Sequence, residues 1–263
     1  MAPSFHSLAA LQLARRVLCW TGASLLIFTG TGAQAASATI AVAANFAEPM
    51  RALAALLEQT TSHRLQISVG ATGRLYAQIR NGAPFDVFLA ADTRAPAQLE
   101  ADGLAVPGTR FTYATGQLVL WSAQSGLVDS QGAVLKTDRF RKLAIANPKT
   151  APYGAAALEV MTQLGLSDAL TPKLVQGESI GQAYNFTFTG NAELGFVALS
   201  QVLVGGQLKS GSMWKVPPAL YTPIRQDAVL LQRGASNAAA LALLALLRSP
   251  PGQAVIQSFG YAV

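Results

Sequence analysis

Cysteine and histidine are almost missing: the 263-residue chain holds one Cys and two His. Cys19 and His6 fall in the first 35 residues, read below as a signal, and the one histidine left after them cannot build a zinc site of the usual three or four nitrogen and sulfur ligands. An intrachain disulfide is excluded too. Charge is also scarce, at 12% of residues against ~25% in an ordinary soluble domain. Basic residues number 19 and acidic ones 13, for a net charge of +6. They are dispersed, with no cluster that would track a phosphate backbone, so no nucleic-acid partner is expected. No Gly-rich phosphate loop, dinucleotide fingerprint or Gly-x-Ser-x-Gly elbow occurs. A Ser-His-Asp triad would have to use His63. That residue sits in Thr61-Ser62-His63-Arg64, a polar stretch between a helix and a strand, and reads as a solvated loop histidine. With 51% hydrophobic residues the chain is not disordered.

The apolar residues are not spread evenly. Arg15 and Arg16 precede a charge-free run from Val17 to Thr29, and Ala33-Gln34-Ala35 supplies small residues at a cleavage site. This is the pattern of a secretory signal peptide over 1–35. The run falls short of the ~20 residues a membrane-spanning helix needs. Export to the periplasm is therefore expected. The only Cys, Cys19, and His6 would leave with the signal, together with two positive charges.

Beyond residue 35, strand and helix signals alternate. Short apolar runs at Thr39–Ala43, Leu65–Val69 and Asp86–Ala90 predict strands. Helical spacing covers Glu48–Thr60, Gly73–Asn81 and Ala95–Asp102. Thr112–Ser122 reads as one long strand. A second series follows: strand Leu143–Ala146, helix Tyr153–Leu164, strand Lys173–Val175, helix Ile180–Thr187 and strand Leu194–Val197. Strand Asp227–Leu231 and helices Asn237–Leu247 and Pro251–Phe259 close the chain. The last-but-one helix is almost pure Ala and Leu, and must be buried, most simply on the first lobe. The expected fold is α/β with two lobes, each a mixed, mostly parallel sheet flanked by helices. Lobe 1 is read as 36–115 plus 225–263 and lobe 2 as 116–224, with the ligand in the cleft between them.

Four strand-to-helix junctions share small or hydroxyl residues: Ala43-Ala44-Asn45-Phe46, Gly70-Ala71-Thr72-Gly73, Asn147 to Gly154, and Glu178-Ser179-Ile180-Gly181. Asn45 and Ser179 read as helix caps. The first backbone N–H groups of a helix lack partners and carry the positive end of its dipole. Four such ends facing one cleft would hold an anion without any Lys or Arg. Asp92 also reads as a cap, Arg74 as solvated, and Tyr76, Trp121 and Trp214 as packing residues.

Taken in order, these segments resemble the periplasmic molybdate-binding proteins of ABC importers. The match runs through Ala-Ala-Asn-Phe, Gly-Ala-Thr-Gly-Arg-Leu-Tyr-Ala-Gln-Ile, Asn81 to Asp92, Asn147-Pro148 to Tyr153-Gly154, Ser179 to Ala183 and Leu194 to Val197. The resemblance implies a type II periplasmic binding fold with two crossing strands. It implies molybdate or tungstate as ligand, no cofactor, no catalysis, a membrane permease as partner and a monomeric carrier. Five positions carry over as contacts of the metal oxyanion, not as ligands of a cation: Ala44, Asn45, Thr72, Tyr153 and Ile180. Thr72 would donate from hydroxyl and backbone, and Tyr153 and Ile180 from backbone N–H groups. Ala44 departs from the Ser or Thr common in the family, a loss the Asn45 amide would compensate. Ala198 replaces a tyrosine that supplies a further hydroxyl in some members. The rivals are a carrier of another oxyanion such as sulfate, a secreted α/β enzyme acting on an anionic substrate, and an effector domain of a transcription regulator. The enzyme lacks an assembled acid, base or nucleophile, and the regulator lacks a DNA-binding segment.

Overall fold

The computed structural model describes residues 35–263, so the signal read over 1–35 lies outside it except for Ala35. Strand β1 (Ser37–Ala43) pairs in parallel with β2 (Arg64–Gly70) and β3 (Val87–Leu89). Helices α1 (Ala47–Thr60), α2 (Thr72–Arg80) and α3 (Arg94–Ala101) make the connections. On α1, Met50, Leu53 and Leu57 recur at helical spacing and are buried, which turns one stripe of the helix onto the sheet.

The expected strand Thr112–Ser122 is two strands in two sheets. Strand β4 (Phe111–Gly116) stays with the first sheet, and β5 (Leu118–Ser122) begins the second. The break falls at Gln117, directly after a glycine. Local sequence could not show it, because both halves are made largely of strand-favouring residues that continue directly into one another. The second sheet adds β6 (Leu143–Ala146), α4 (Pro152–Gln163), a short α5 (Ser167–Leu170), β7 (Leu174–Gly177), α6 (Ile180–Phe188) and β8 (Leu194–Ala198). One turn of helix, α7 (Leu199–Val202), leads into the hairpin β9 (Leu203–Val204) and β10 (Gln207–Leu208), and then the edge strand β11 (Ser212–Lys215). The chain returns to the first sheet as β12 (Ile224–Leu230) and ends in α8 (Ala238–Arg248) and α9 (Pro250–Ser258). The sheet orders are β2-β1-β3-β12-β4 and β11-β5-β8-β6-β7. Both are mixed: β12 runs antiparallel to β3 and β4, and β5 antiparallel to β8 and β11. This is a two-lobed α/β fold.

Helix α8 buries Ala239, Ala240, Leu243, Leu244 and Leu247 in the core that holds Ile40, Val42, Met50 and Leu53. It docks on the first sheet as expected, although Leu241 stays 46% exposed. Among the described residues no single helix is long and apolar enough to cross a membrane.

His63 is not the solvated loop residue its neighbours suggest. It is buried, and its Nδ1 accepts from the Ala36 N–H at 3.2 Å, tying the start of β1 to the start of β2. The backbone N–H of His63 donates to Thr61 Oγ1. This histidine is structural because β1 and β2 lie side by side, a pairing its local sequence does not show.

Candidate functional site

All four junctions lie at the carboxyl ends of parallel strands, the place where open α/β sheets bind ligands. A 3-10 turn at Ala44–Phe46 follows β1, α2 begins at Thr72 after β2, α4 follows β6 and α6 follows β7. Two belong to each sheet, and they meet. Gly73 N–H donates to Thr150 O at 2.9 Å. A Cβ on Gly73 would stand 3.1 Å from Thr150 Cα, so glycine permits the approach. On the other pair, a Cβ on Gly181 would stand 3.5 Å from Ala44 Cβ. Ala71, Tyr153 and Ile180 share one packed cluster, with Ala44 against it.

The structure thus brings together segments from both sheets that carry all five sequence-predicted residues. Asn45, Thr72, Tyr153 and Ile180 are only 1–3% exposed. Among the described residues, no hydrogen bond engages the backbone N–H of Ala44, Asn45, Thr72, Tyr153 or Ile180. Each is a first-turn donor with no intrahelical partner. Thr72 Oγ1 accepts from Ala91 N–H at 3.0 Å, which leaves the hydroxyl proton free to donate.

Two large cavities flank these junctions. One, of about 720 Å³, is lined by Ala44, Asn45, Arg74, Glu178 and Ser200 among others. The other, of about 850 Å³, is lined by Gly73, Asp92, Thr150 and Arg225 among others. Thr72, Tyr153 and Ile180 line neither. Arg74 reaches Glu178 at 3.8 Å, with both side chains more than half exposed, a pair worth little in water. Among the described residues no group of three or more His, Cys, Asp or Glu could hold a metal cation.

The Asn45 side chain corrects two expectations. It makes no cap bond, and its amide is not free for an anion. Asn45 Nδ2 donates to Gln226 Oε1 at 2.8 Å and to Tyr261 OH at 2.9 Å, which uses both protons. The Asn45 carbonyl accepts from Ser200 Oγ at 2.8 Å and from Tyr261 OH at 2.9 Å. What Asn45 offers a ligand from its donors is its backbone N–H, so the hydroxyl absent at Ala44 is not replaced by this amide. Ser179 does cap: its Oγ accepts from Gln182 N–H at 3.3 Å. Asp92 caps α3, accepting from Ala95 N–H at 2.9 Å, and burial raises its carboxyl pKa. Trp121, Trp214 and most of Tyr76 pack as expected, Tyr76 beneath the Arg80 guanidinium.

Sequence reading missed Gln226, Ser200, Tyr113 and Tyr261. Gln226 and Asp227 are adjacent yet both buried, because β12 carries a bulge between them against β4. A bulge re-aims side chains. Asp227 meets Arg110 and Thr112, each at 2.7 Å, while Gln226 meets Asn45, Tyr113 and Tyr153. Two neighbouring polar residues inside an apolar strand were the available signal.

Three phenols belong to this interior. Burial pushes the Tyr113 and Tyr153 hydroxyls well above the ordinary tyrosine pKa, and that of Tyr261 up to about 12. The folded chain therefore holds these protons after the unfolded chain releases them. Stability is full below pH ~10 and falls above it, by about 1.4 kcal/mol per pH unit for each phenol until its folded pKa is reached. Urea midpoints measured from pH 8 to 11 should be level and then drop. A level profile to pH 11 would contradict the burial of these groups.

The similarity to known proteins is extensive. A family model described as bacterial extracellular solute-binding protein matches residues 38–262. The chain is 56% identical to the molybdate-binding protein ModA of Azotobacter vinelandii over 94% of its length and 96% of the relative's. It is 52% identical to ModA of Rhodobacter capsulatus, covering 92% of this chain and 94% of that one. The solved periplasmic molybdate-binding protein of Azotobacter vinelandii superposes with a TM-score of 0.84 and 44% identity, over 86% of this chain and 99% of that chain. The chain belongs to the bacterial extracellular solute-binding proteins and, within them, to the family of molybdate-binding proteins.

Proposed function

We propose that this chain binds molybdate, and by the same chemistry tungstate, in the periplasm and delivers it as a monomer to an ABC permease. The carrying observation is the donor set. Five unengaged N–H groups and one hydroxyl proton sit where the two sheets meet, and none of the five side chains is charged. A fully deprotonated tetrahedral oxyanion presents only acceptors, and an array of neutral donors complements it. A carboxylate in the array would instead favour a protonated anion. Residues 1–35 act as the export signal, and the lobes divide at 36–115 plus 225–263 and 116–224.

Calorimetry on the chain without residues 1–35 tests the reading. Molybdate and tungstate should bind more tightly than sulfate, because the cavity must fit the larger ion, and phosphate should bind least. Sulfate binding as tightly as molybdate would overturn the assignment.

Thr72→Ala should weaken molybdate binding by roughly 1–3 kcal/mol, the cost of a lost hydrogen bond to a charged group. It should also lower the melting temperature, because Ala91 N–H loses its acceptor inside the protein. Unchanged affinity would remove the Thr72 hydroxyl from the site.

A further inference from the structure

We infer that Gln226 is a positioning residue of the anion site, holding contact residues of both lobes from beneath. The inference rests on the molybdate-binding reading above. Gln226 is fully buried on β12, the strand that brings the chain back to the first sheet. Its Oε1 accepts from Asn45 Nδ2 at 2.8 Å and from Tyr113 OH at 3.0 Å. Its Nε2 donates to Tyr153 OH at 3.3 Å. Asn45 follows β1 in the first sheet, and Tyr153 is the second residue of α4 beside the second. One side chain thus binds two of the five contact residues across the lobe boundary.

The chemistry of an amide suits this place. It accepts from one lobe and donates to the other, and it stays neutral. The titratable groups facing it are the Tyr113, Tyr153 and Tyr261 phenols, all held protonated by burial. Asp227, its neighbour along the strand, turns to Arg110 and Thr112. No negative charge therefore lies between Gln226 and the two residues whose N–H groups it sets. The Asn45 and Tyr153 side chains are engaged below, so their main chains are fixed for the ligand. A glutamate at 226 could keep the acceptor contacts but would place a buried carboxylate behind the anion.

Molybdate titrations of wild type, Gln226→Leu and Gln226→Glu test the inference, with melting curves of the ligand-free proteins in parallel. Wild-type affinity should be the same at pH 6.5 and 8.5. Gln226→Leu should bind about tenfold more weakly, from loss of a buried hydrogen-bonded set. Gln226→Glu should bind worse than Gln226→Leu at pH 8.5 and recover toward wild type at pH 6.5, as a buried carboxyl with a raised pKa takes up its proton. A merely structural role would lower melting temperatures without making affinity depend on pH. Wild-type affinity in Gln226→Leu, or a pH-independent Gln226→Glu, would overturn the inference. Should Gln226→Leu fail to fold, Tyr153→Phe removes the far partner alone: weakened binding supports the role and unchanged affinity overturns it. A wild-type protein that binds no molybdate would instead bring down the functional reading itself.

Discussion

Ile180→Pro is expected to lower molybdate affinity by about 2–3 kcal/mol while leaving the protein folded, because on the proposed function it deletes one N–H that donates to a charged acceptor. The position tolerates proline unusually well. Ile180 is the first residue of α6, where an N–H has no intrahelical partner and the fixed φ suits the helix. Its predecessor Ser179 is extended, with φ −145° and ψ 167°, the conformation a residue before proline must adopt. The Ile180 carbonyl, which accepts from Gln201 Nε2 at 3.2 Å, is kept. Ile180→Val controls for the trimmed side chain, since it retains the N–H and should bind nearly as wild type. Calorimetry on both variants, with circular dichroism to confirm folding, decides the matter. Full affinity in Ile180→Pro would show that α6 does not hold the ion through this group.

Gly116→Ala is expected to cost about 3 kcal/mol of stability, at the upper end of ordinary overpacking, and to abolish tight binding. Its Cβ would stand 2.0 Å from the Tyr153 hydroxyl and 2.5 Å from Gln226 Nε2. Neither neighbour has room to withdraw, since Tyr153 and Gln226 are both buried and hydrogen-bonded to each other. Gly116 is also the last residue of β4, next to the point where the chain leaves the first sheet. The added methyl would wedge the crossing apart and displace the phenol that anchors Tyr153. Urea unfolding and a molybdate titration measure the two effects. A variant with wild-type stability would show that the phenol can move freely.

Local patterns carried most of the architecture. Parallel strands announce themselves as unbroken apolar runs, as at Ile40-Ala41-Val42, and α1 by the spacing of Met50, Leu53 and Leu57. The junction residues were legible because helix starts have their own chemistry and because the ordered set of motifs resembles one family. What stayed hidden was non-local. The break at Gln117 is invisible because β4 and β5 both consist largely of strand-favouring residues with one glycine at their junction, although they join different sheets. β11 is an edge strand of four residues, too short for a period-two pattern to stand out. The Asn45 side chain looked like a cap because its neighbours suit one, whereas its partners lie 181 and 216 residues away. Gln226 had no motif of its own. Its meaning comes from a bulge and from three residues contributed by other elements.

Those separations bear on the order in which the molecule becomes competent. Asn45 is among the earliest residues of the described chain, while Gln226 and Tyr261 are among the latest. Contacts between such distant partners close the largest loops, and form after local structure has gained enough to offset the entropy. Helices and the β1–β2 pair can assemble early, yet the floor beneath Asn45 is absent until the last strand and Tyr261 arrive. On the proposed function, a chain emerging stepwise from a ribosome does not complete the anion site until those last elements are in place. On that reading cargo capture certifies a finished molecule, and a truncation that removes only Tyr261 and its two followers would leave most of the fold standing without two of the hydrogen bonds that hold Asn45.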